Sequence, residues 1–226
     1  LEALNMGGRI ICVAQQKGGA GKTTLVSNLA IAFLSQGKSV ALLDTDPQGS
    51  LSKWLDIREE SLGEDENLRF ATATAYGISR AIRGHIKDAD VILIDTPPKA
   101  DSDVRWVLAE SDLVLVPVSA SKADVWATND VLDLADRAGK PTNVVMNRTR
   151  NGTRVGEQVA NAVAELGTKP LQSSLTNRVI YAEALGRGLG VIEAKRSGPA
   201  ADEVRALADE VATVLKLDSS ATPELA

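Results

Sequence analysis

QQKGGAGKTT, residues 15–24, decides how the rest of the chain is read. Its close, Gly21-Lys22-Thr23, matches the end of the phosphate-loop pattern G-x-x-x-x-G-K-S/T. The first glycine of that pattern would fall at position 16, where the chain has Gln16, followed by a second lysine, Lys17. Phosphate binding is still the reading the residues favour. Gly18, Gly19 and Gly21, with the small Ala20 among them, let backbone N–H groups turn inward with no Cβ in the way. The apolar run RIICVA (9–14) before the loop reads as a strand, and the pattern after it as a helix over about 23–35, closed by Gly37. A helix that starts there turns its partial positive charge toward an anion. Lys22 can reach the terminal phosphates, the Thr23 hydroxyl suits Mg2+, and Thr24 completes the loop and supports the helix start.

Outward from the loop, short apolar runs alternate with helical patterns. SVALLD, LRFATA, DVILID, LVLVPV and TNVVMN read as strands, with LQSSL as a possible edge strand. Helices are expected over 51–55, 77–85, 103–110, 125–138, from beyond 153 to about 166, 180–185 and 200–215, with a charged loop over 57–67. This order implies an α/β fold: a single doubly wound, mostly parallel sheet with helices on both faces. Ligands of such sheets sit beyond the carboxyl ends of the strands. The expected domain is 9–217, preceded by an arm or remnant (1–8) and followed by a flexible tail (218–226).

Composition agrees with a globular α/β chain. Of 226 residues, 44% are hydrophobic, 24% charged and only 3% aromatic. No apolar run approaches the roughly 20 residues that span a bilayer. The single cysteine, Cys12, lies inside an apolar strand and reads as core. It rules out an internal disulfide, and a reducing cytoplasm is the expected location. His85 reads as a surface residue. The net charge is −5, yet residues 140–196 carry nine basic and four acidic side chains. The charge is therefore polarised along the chain, which leaves a local basic face open.

Two further strand ends carry carboxylates. SVALLD runs into DTDPQGS, so Asp44 and Asp46 flank Thr45 ahead of Pro47. Carboxylates beside a triphosphate need a cation to offset them, and one of them can orient an attacking water. DVILIDTPP ends its strand at Asp95, the pattern of an aspartate that holds Mg2+ directly or through water. The metal-facing set is then Thr23, Asp44, Asp46 and Asp95. The Pro97-Pro98 loop is placed to sense a γ-phosphate.

KGGAGKTT, DTDPQGS and DTPP, in this order, resemble the deviant Walker ATPases of the ParA/MinD family over about 9–215. The short N-terminal segment is similar to small partition ATPases of the ParF type. The resemblance implies ATP and Mg2+ as cofactors and a homodimer in the ATP state. It also gives Lys17 a role: the family's signature lysine reaches the phosphates of the partner subunit. With Lys22 and Asp46, Lys17 makes up the implied catalytic set. Asn147 matches the family's adenine-recognising position, with Arg148 packing on the base. Where the family has Pro-Arg-Asn, this chain reads Thr176-Asn177-Arg178.

Partition-type members bind nonspecific double-stranded DNA, move a cargo over the nucleoid, and are stimulated by a ParB-like or cargo-linked protein. Arg148, Arg150, Arg154, Arg178, Lys195 and Arg196 are the residues expected to touch DNA. MinD-like members use a basic amphipathic C-terminal helix on membranes, whereas here the end, ADEVRALADEVATVLKLDSSATPELA, has an acidic polar face. No membrane partner is expected. Reductases similar to the nitrogenase iron protein need cluster cysteines that the chain lacks. A MinD-like, membrane-associated positioning ATPase remains the first alternative, and a ligase resembling dethiobiotin synthetase the metabolic one, although that ligase needs neither Lys17 nor DTDPQ.

Overall fold

Seven buried or edge runs pair into one sheet because each parallel strand needs a crossover, and the helical patterns between them supply it. The computed structural model describes residues 8–74, 77–85, 88–98, 102–119, 122–149 and 154–217. Its elements run β1 (Arg9–Val13), α1 (Lys22–Ser35), β2 (Val40–Asp44), α2 (Ser50–Leu62), β3 (Leu68–Thr72), α3 (Ile78–His85), β4 (Val91–Asp95), α4 (Ser102–Glu110), β5 (Leu113–Ser119), α5 (Lys122–Arg137), β6 (Thr142–Thr149), α6 (Arg154–Glu165), β7 (Lys169–Thr176), α7 (Val179–Leu185), α8 (Val191–Ala194) and α9 (Pro199–Leu215).

The strand order is β3-β2-β4-β1-β5-β6-β7. Every pairing among the described residues is parallel, so the expected mostly parallel sheet is wholly so. Alternate residues of each strand feed two cores. Ile11, Val13, Leu42 and Leu93 pack under α1, α2, α7, α8 and α9. Ile10, Cys12, Leu43 and Ile94 pack under α3, α4, α5 and α6. Cys12 is fully buried, as read from sequence, and burial pushes its thiol up to about 12.

Two elements differ from expectation. α2 continues through the charged stretch to Leu62, because Trp54, Leu55 and Arg58 all face the core while the acidic residues face out. α8 is a single turn with no periodic pattern of its own. Gly37 does close α1. At φ 76° it lets the Lys38 amide donate back to Phe33 O at 3.0 Å. The expected arm and tail lie outside the described residues, apart from Gly8. Among the described residues no helix is long and apolar enough to cross a membrane.

Candidate nucleotide site

The carboxyl ends of β1, β2 and β4 lie side by side. Val13 is in register with Asp95, and Asp95 with Asp44. The glycine loop leaves β1 at this edge. Ala14 N donates to Leu115 O at 3.0 Å, then Gln15 fixes the loop's first turn. The Gln15 side chain is 2% exposed; its Nε2 donates to Pro117 O at 3.2 Å and Thr128 Oγ1 at 3.1 Å, and its Oε1 accepts from Gln16 N. Sequence reading assigned Gln15 no role. The signal was a polar residue directly after an apolar strand.

Beyond Gln15 the chain opens outward. Lys17 is half-buried, Gly18 and Gly19 are exposed, and Ala20 is buried. Gly19 and Gly21 hold φ of 76° and 91°, which a side chain rarely adopts. A Cβ on Gly21 would also collide with the amide of Asn147. α1 starts with no side-chain cap and no acidic residue in its first turn, so the amides at Lys22, Thr23 and Thr24 remain for an anion.

Lys22 is buried, and its Nζ donates back to Gln15 O at 3.2 Å. Burial pulls its ammonium below the ordinary value, against the attraction of Asp95 and then Asp46. Thr23 Oγ1 donates to Asp95 Oδ2 at 2.6 Å. Asp95 is 1% exposed and its Oδ1 is buried with no hydrogen-bond partner. Burial pushes this carboxyl up to about 7; the Thr23 bond opposes the shift and the Asp44 charge adds to it. An orphaned acceptor beside a threonine hydroxyl and a phosphate cradle fits a hydrated Mg2+. No group of three or more His, Cys, Asp or Glu forms a metal cage among the described residues, so such an ion would share its shell with phosphate and water, as Mg2+ does.

Asp44, expected in the cation shell, spends both oxygens on the segment after it. Oδ1 accepts from Asp46 N at 3.0 Å, and Oδ2 from Ser52 N and Oγ at 3.1 and 2.9 Å. It thereby positions Asp46, which is half-buried and turns its own Oδ1 onto Gln48 N at 2.9 Å. A cleft of about 790 Å³ opens between Asp46, Ser52, Thr74, Pro97, Pro98 and Val104. No phosphate-loop residue is on its wall, so it adjoins the cradle from the Asp46 side and is not the cradle itself. Pro98 does approach the loop, since a Cβ on Gly18 would lie 4.0 Å from the Pro98 Cβ.

Asn147 ends β6 against this loop. It is 5% exposed, its Nδ2 donates to Ala20 O at 2.8 Å, and its Oδ1 accepts from Arg148 N at 2.9 Å. One amide proton and one lone pair are left over. Arg148 is exposed in the left-handed region at φ 53°. Asn177 N donates to Thr149 O at 2.8 Å, which brings the β7 end to the same edge.

Among the residues expected to touch DNA, Arg148 and Arg178 lie at the ends of β6 and β7, which the Asn177–Thr149 bond joins. Arg178 is not a bare cation, because Glu203 holds it at 3.1 Å and also accepts from Thr176 and Tyr181. Burial raises the Glu203 carboxyl, but these bonds, the Thr176 amide first, bring it below the usual range. Lys195 and Arg196 are exposed on the turn between α8 and α9. Arg150 and the Arg154 side chain lie outside the described residues.

Known proteins are similar to this chain in sequence and in fold. A relative from Halothiobacillus neapolitanus, maintenance of carboxysome distribution protein A, is 29% identical over 211 residues, covering 89% of this chain and 95% of that protein. The chromosome-partitioning ATPase Soj of Thermus thermophilus is also 29% identical, covering 90% and 95%. The solved ATP complex of a Cyanothece McdA variant shares the fold, with a TM-score of 0.76 at 18% identity over 95% of this chain and 99% of that one. The model of the CobQ/CobB/MinD/ParA nucleotide binding domain matches residues 11–191. With the glycine loop, the Thr23–Asp95 pair and the parallel sheet all in place, the chain belongs to the CobQ/CobB/MinD/ParA nucleotide-binding family.

Proposed function

We propose that this chain is a Mg2+-dependent ATPase of the ParA type. In this reading it dimerises around ATP, binds nonspecific double-stranded DNA as the dimer, and positions a cargo on the nucleoid. A ParB-like or cargo-linked protein stimulates hydrolysis, which returns the chain to the monomer. The observation that carries the nucleotide part is the buried Asp95 Oδ1 without a partner, beside the Thr23 hydroxyl and the uncapped start of α1. Mg2+ bound there would neutralise charge between the phosphates. Lys22 binds the phosphates in its own subunit, Lys17 reaches those of the partner, and Asp46 orients the attacking water. Asn147 and Arg148 hold the base.

The names of the relatives support the positioning part, one through carboxysome distribution and the other through chromosome partitioning. The cargo is thus a plasmid, a chromosome locus or a protein assembly. Arg148, Lys195 and Arg196 are the described cations proposed to face DNA, and the chain is placed in the cytoplasm on the nucleoid. The deciding experiment is binding to a random-sequence duplex with Mg2+·ATP, with ADP and without nucleotide, across a salt series. ATP-dependent binding that weakens steeply with salt is expected. Equal binding in all three states would sink the switch.

A further inference from the structure

We infer that Glu203 of α9 is a positioning residue of the base site: its carboxylate fixes the turn from Thr176 to Arg178 as a second wall beside Asn147. The inference rests on the reading of Asn147 and Arg148 as base contacts. Glu203 Oε2 accepts from Thr176 N at 3.1 Å and from the Tyr181 hydroxyl at 2.8 Å, and Oε1 accepts from Thr176 Oγ1 at 2.8 Å and from Arg178 Nη2 at 3.1 Å. Both oxygens are thus spent on this turn and the helix it opens, and the side chain is 16% exposed. The β6–β7 ladder does not set the turn by itself, because its register shifts between Val144 and Met146 and again between Met146 and Thr149. The Asn177 N bond to Thr149 O ties the turn to the end of β6, just past Asn147.

Topology puts the turn on the path of the nucleotide. α1 and α7 both start at the carboxyl edge of the sheet and pack on the same face. Outward from β1 the strands run β5, β6, β7. At about 4.8 Å per strand, a nucleotide with its phosphates on the start of α1 extends past Asn147 toward Thr176 and Arg178. The residues that the clamp orders there, Asn177, Arg178 and Val179, are exposed. A solvent-facing turn held this firmly suits a ligand, because its ordering cost is met before binding. Glu210, two turns further along α9, makes the contrast. It accepts from Gln172 N and Ser173 N, both at 2.8 Å, inside β7 and away from the edge.

The test is calorimetric titration of the wild type, Glu203→Ala, Glu203→Gln and Glu210→Ala with Mg2+·ATP and with inorganic triphosphate. Glu203→Ala is expected to bind ATP at least about 10-fold more weakly, with triphosphate affinity within about 2-fold of the wild type. Glu203→Gln keeps one acceptor oxygen and should recover part of the loss. Glu210→Ala should lower Tm and leave both affinities unchanged. Thr176→Val removes the hydroxyl bond and keeps the shape, so it should show the same split at about 2- to 5-fold, and it replaces Glu203→Ala if that variant does not fold. ATP binding at wild-type strength in these variants overturns the inference and leaves the base reading intact. Equal weakening of ATP and triphosphate overturns it too, as does a Glu210→Ala protein that loses as much ATP affinity as Glu203→Ala. A wild type that binds triphosphate as tightly as ATP overturns the base reading, and the inference with it.

Discussion

Thr23 donates its hydroxyl to Asp95 Oδ2 at 2.6 Å across 72 residues of chain, and this bond joins the first turn of α1 to the end of β4. It satisfies one carboxylate oxygen and leaves the other buried and unpaired. The site thus carries a cost in the nucleotide-free protein that a cation offsets. The carboxyl titrates at about 7 here, against 3.8 for the ordinary group. The folded chain therefore binds more protons than the unfolded chain between those values, and stability falls as pH rises from about 4 to about 7. The effect is on the order of 4 kcal/mol at most. Asp95→Asn should remove this slope, making the nucleotide-free protein more stable than wild type at pH 8, while abolishing ATP turnover. Urea unfolding at pH 5 and pH 8 checks it; an unchanged slope in the variant would place the buried charge elsewhere.

Lys22 and Asp46 should fail in different ways. Lys22 is buried with its Nζ on Gln15 O, so it is held inside the loop before any nucleotide arrives. Lys22→Ala should lower nucleotide affinity by at least about 100-fold, roughly two charge-assisted bonds. Asp46 is held by the loop that Asp44 organises, and it touches no phosphate-loop residue by hydrogen bond. Asp46→Ala should keep nucleotide affinity and lose about 100-fold or more in kcat, so that the ATP-bound form accumulates. Equilibrium binding and single-turnover hydrolysis separate the two. An Asp46→Ala protein with wild-type turnover would refute its assigned role.

Asn147 and Gly21 form one unit. The amide donates to Ala20 O at 2.8 Å and occupies the space that a Gly21 side chain would need. Asn147→Ala should weaken ATP binding by about 5- to 100-fold, through the base contact and the lost support of the loop together. Gly21→Ala should be worse, because it strains φ at 91° and expels the same amide. Calorimetric titration with ATP and with inorganic triphosphate distinguishes the contributions. If Asn147→Ala weakens both equally, the residue supports the loop and does not read adenine.

The sheet was legible because its strands are short, continuous apolar runs bounded by loop chemistry, and the site was legible because those runs end in GKT, DTD and DTPP. What sequence hid was long-range pairing. Arg58 lies in a charged run that reads as loop, yet it is buried because Glu193 meets it from 135 residues away. Gln15 shows no motif, since its partners, Pro117 and Thr128, belong to a different strand and helix. Arg178 looks like a surface cation until Glu203 is brought against it by α9. Asp44 reads as a metal ligand by its neighbours in sequence, while its hydrogen bonds go to Asp46 and Ser52.

Arg58 supplies the last prediction. Its guanidinium forms a paired contact with Glu193 at 2.8 and 2.9 Å and donates to Gly188 O at 3.2 Å. It also lies 5.7 Å from the centre of the Trp54 ring. The turn after α7 presses so closely on α2 that a Cβ on Gly188 would collide with the Arg58 backbone. Trp54 Nε1 donates to Leu189 O at 3.3 Å and reinforces the join. α2 follows directly from the Asp46 loop, so this clamp fixes the far end of the helix against the segment that leads to Lys195 and Arg196. The Arg58 side chain is 8% exposed and that of Glu193 29%, so the pair is only partly desolvated. Arg58→Ala should cost about 3 kcal/mol, near the low end for a broken buried pair. In a chain of this size that lowers Tm by about 6–12 °C. Arg58→Ala combined with Glu193→Ala should cost clearly less than the two single losses added together, because the second change removes a carboxylate already stranded by the first. Thermal unfolding of the four proteins gives the cycle. Strict additivity would mean that the packing of Trp54 and Gly188, and not the ion pair, holds α2 in place.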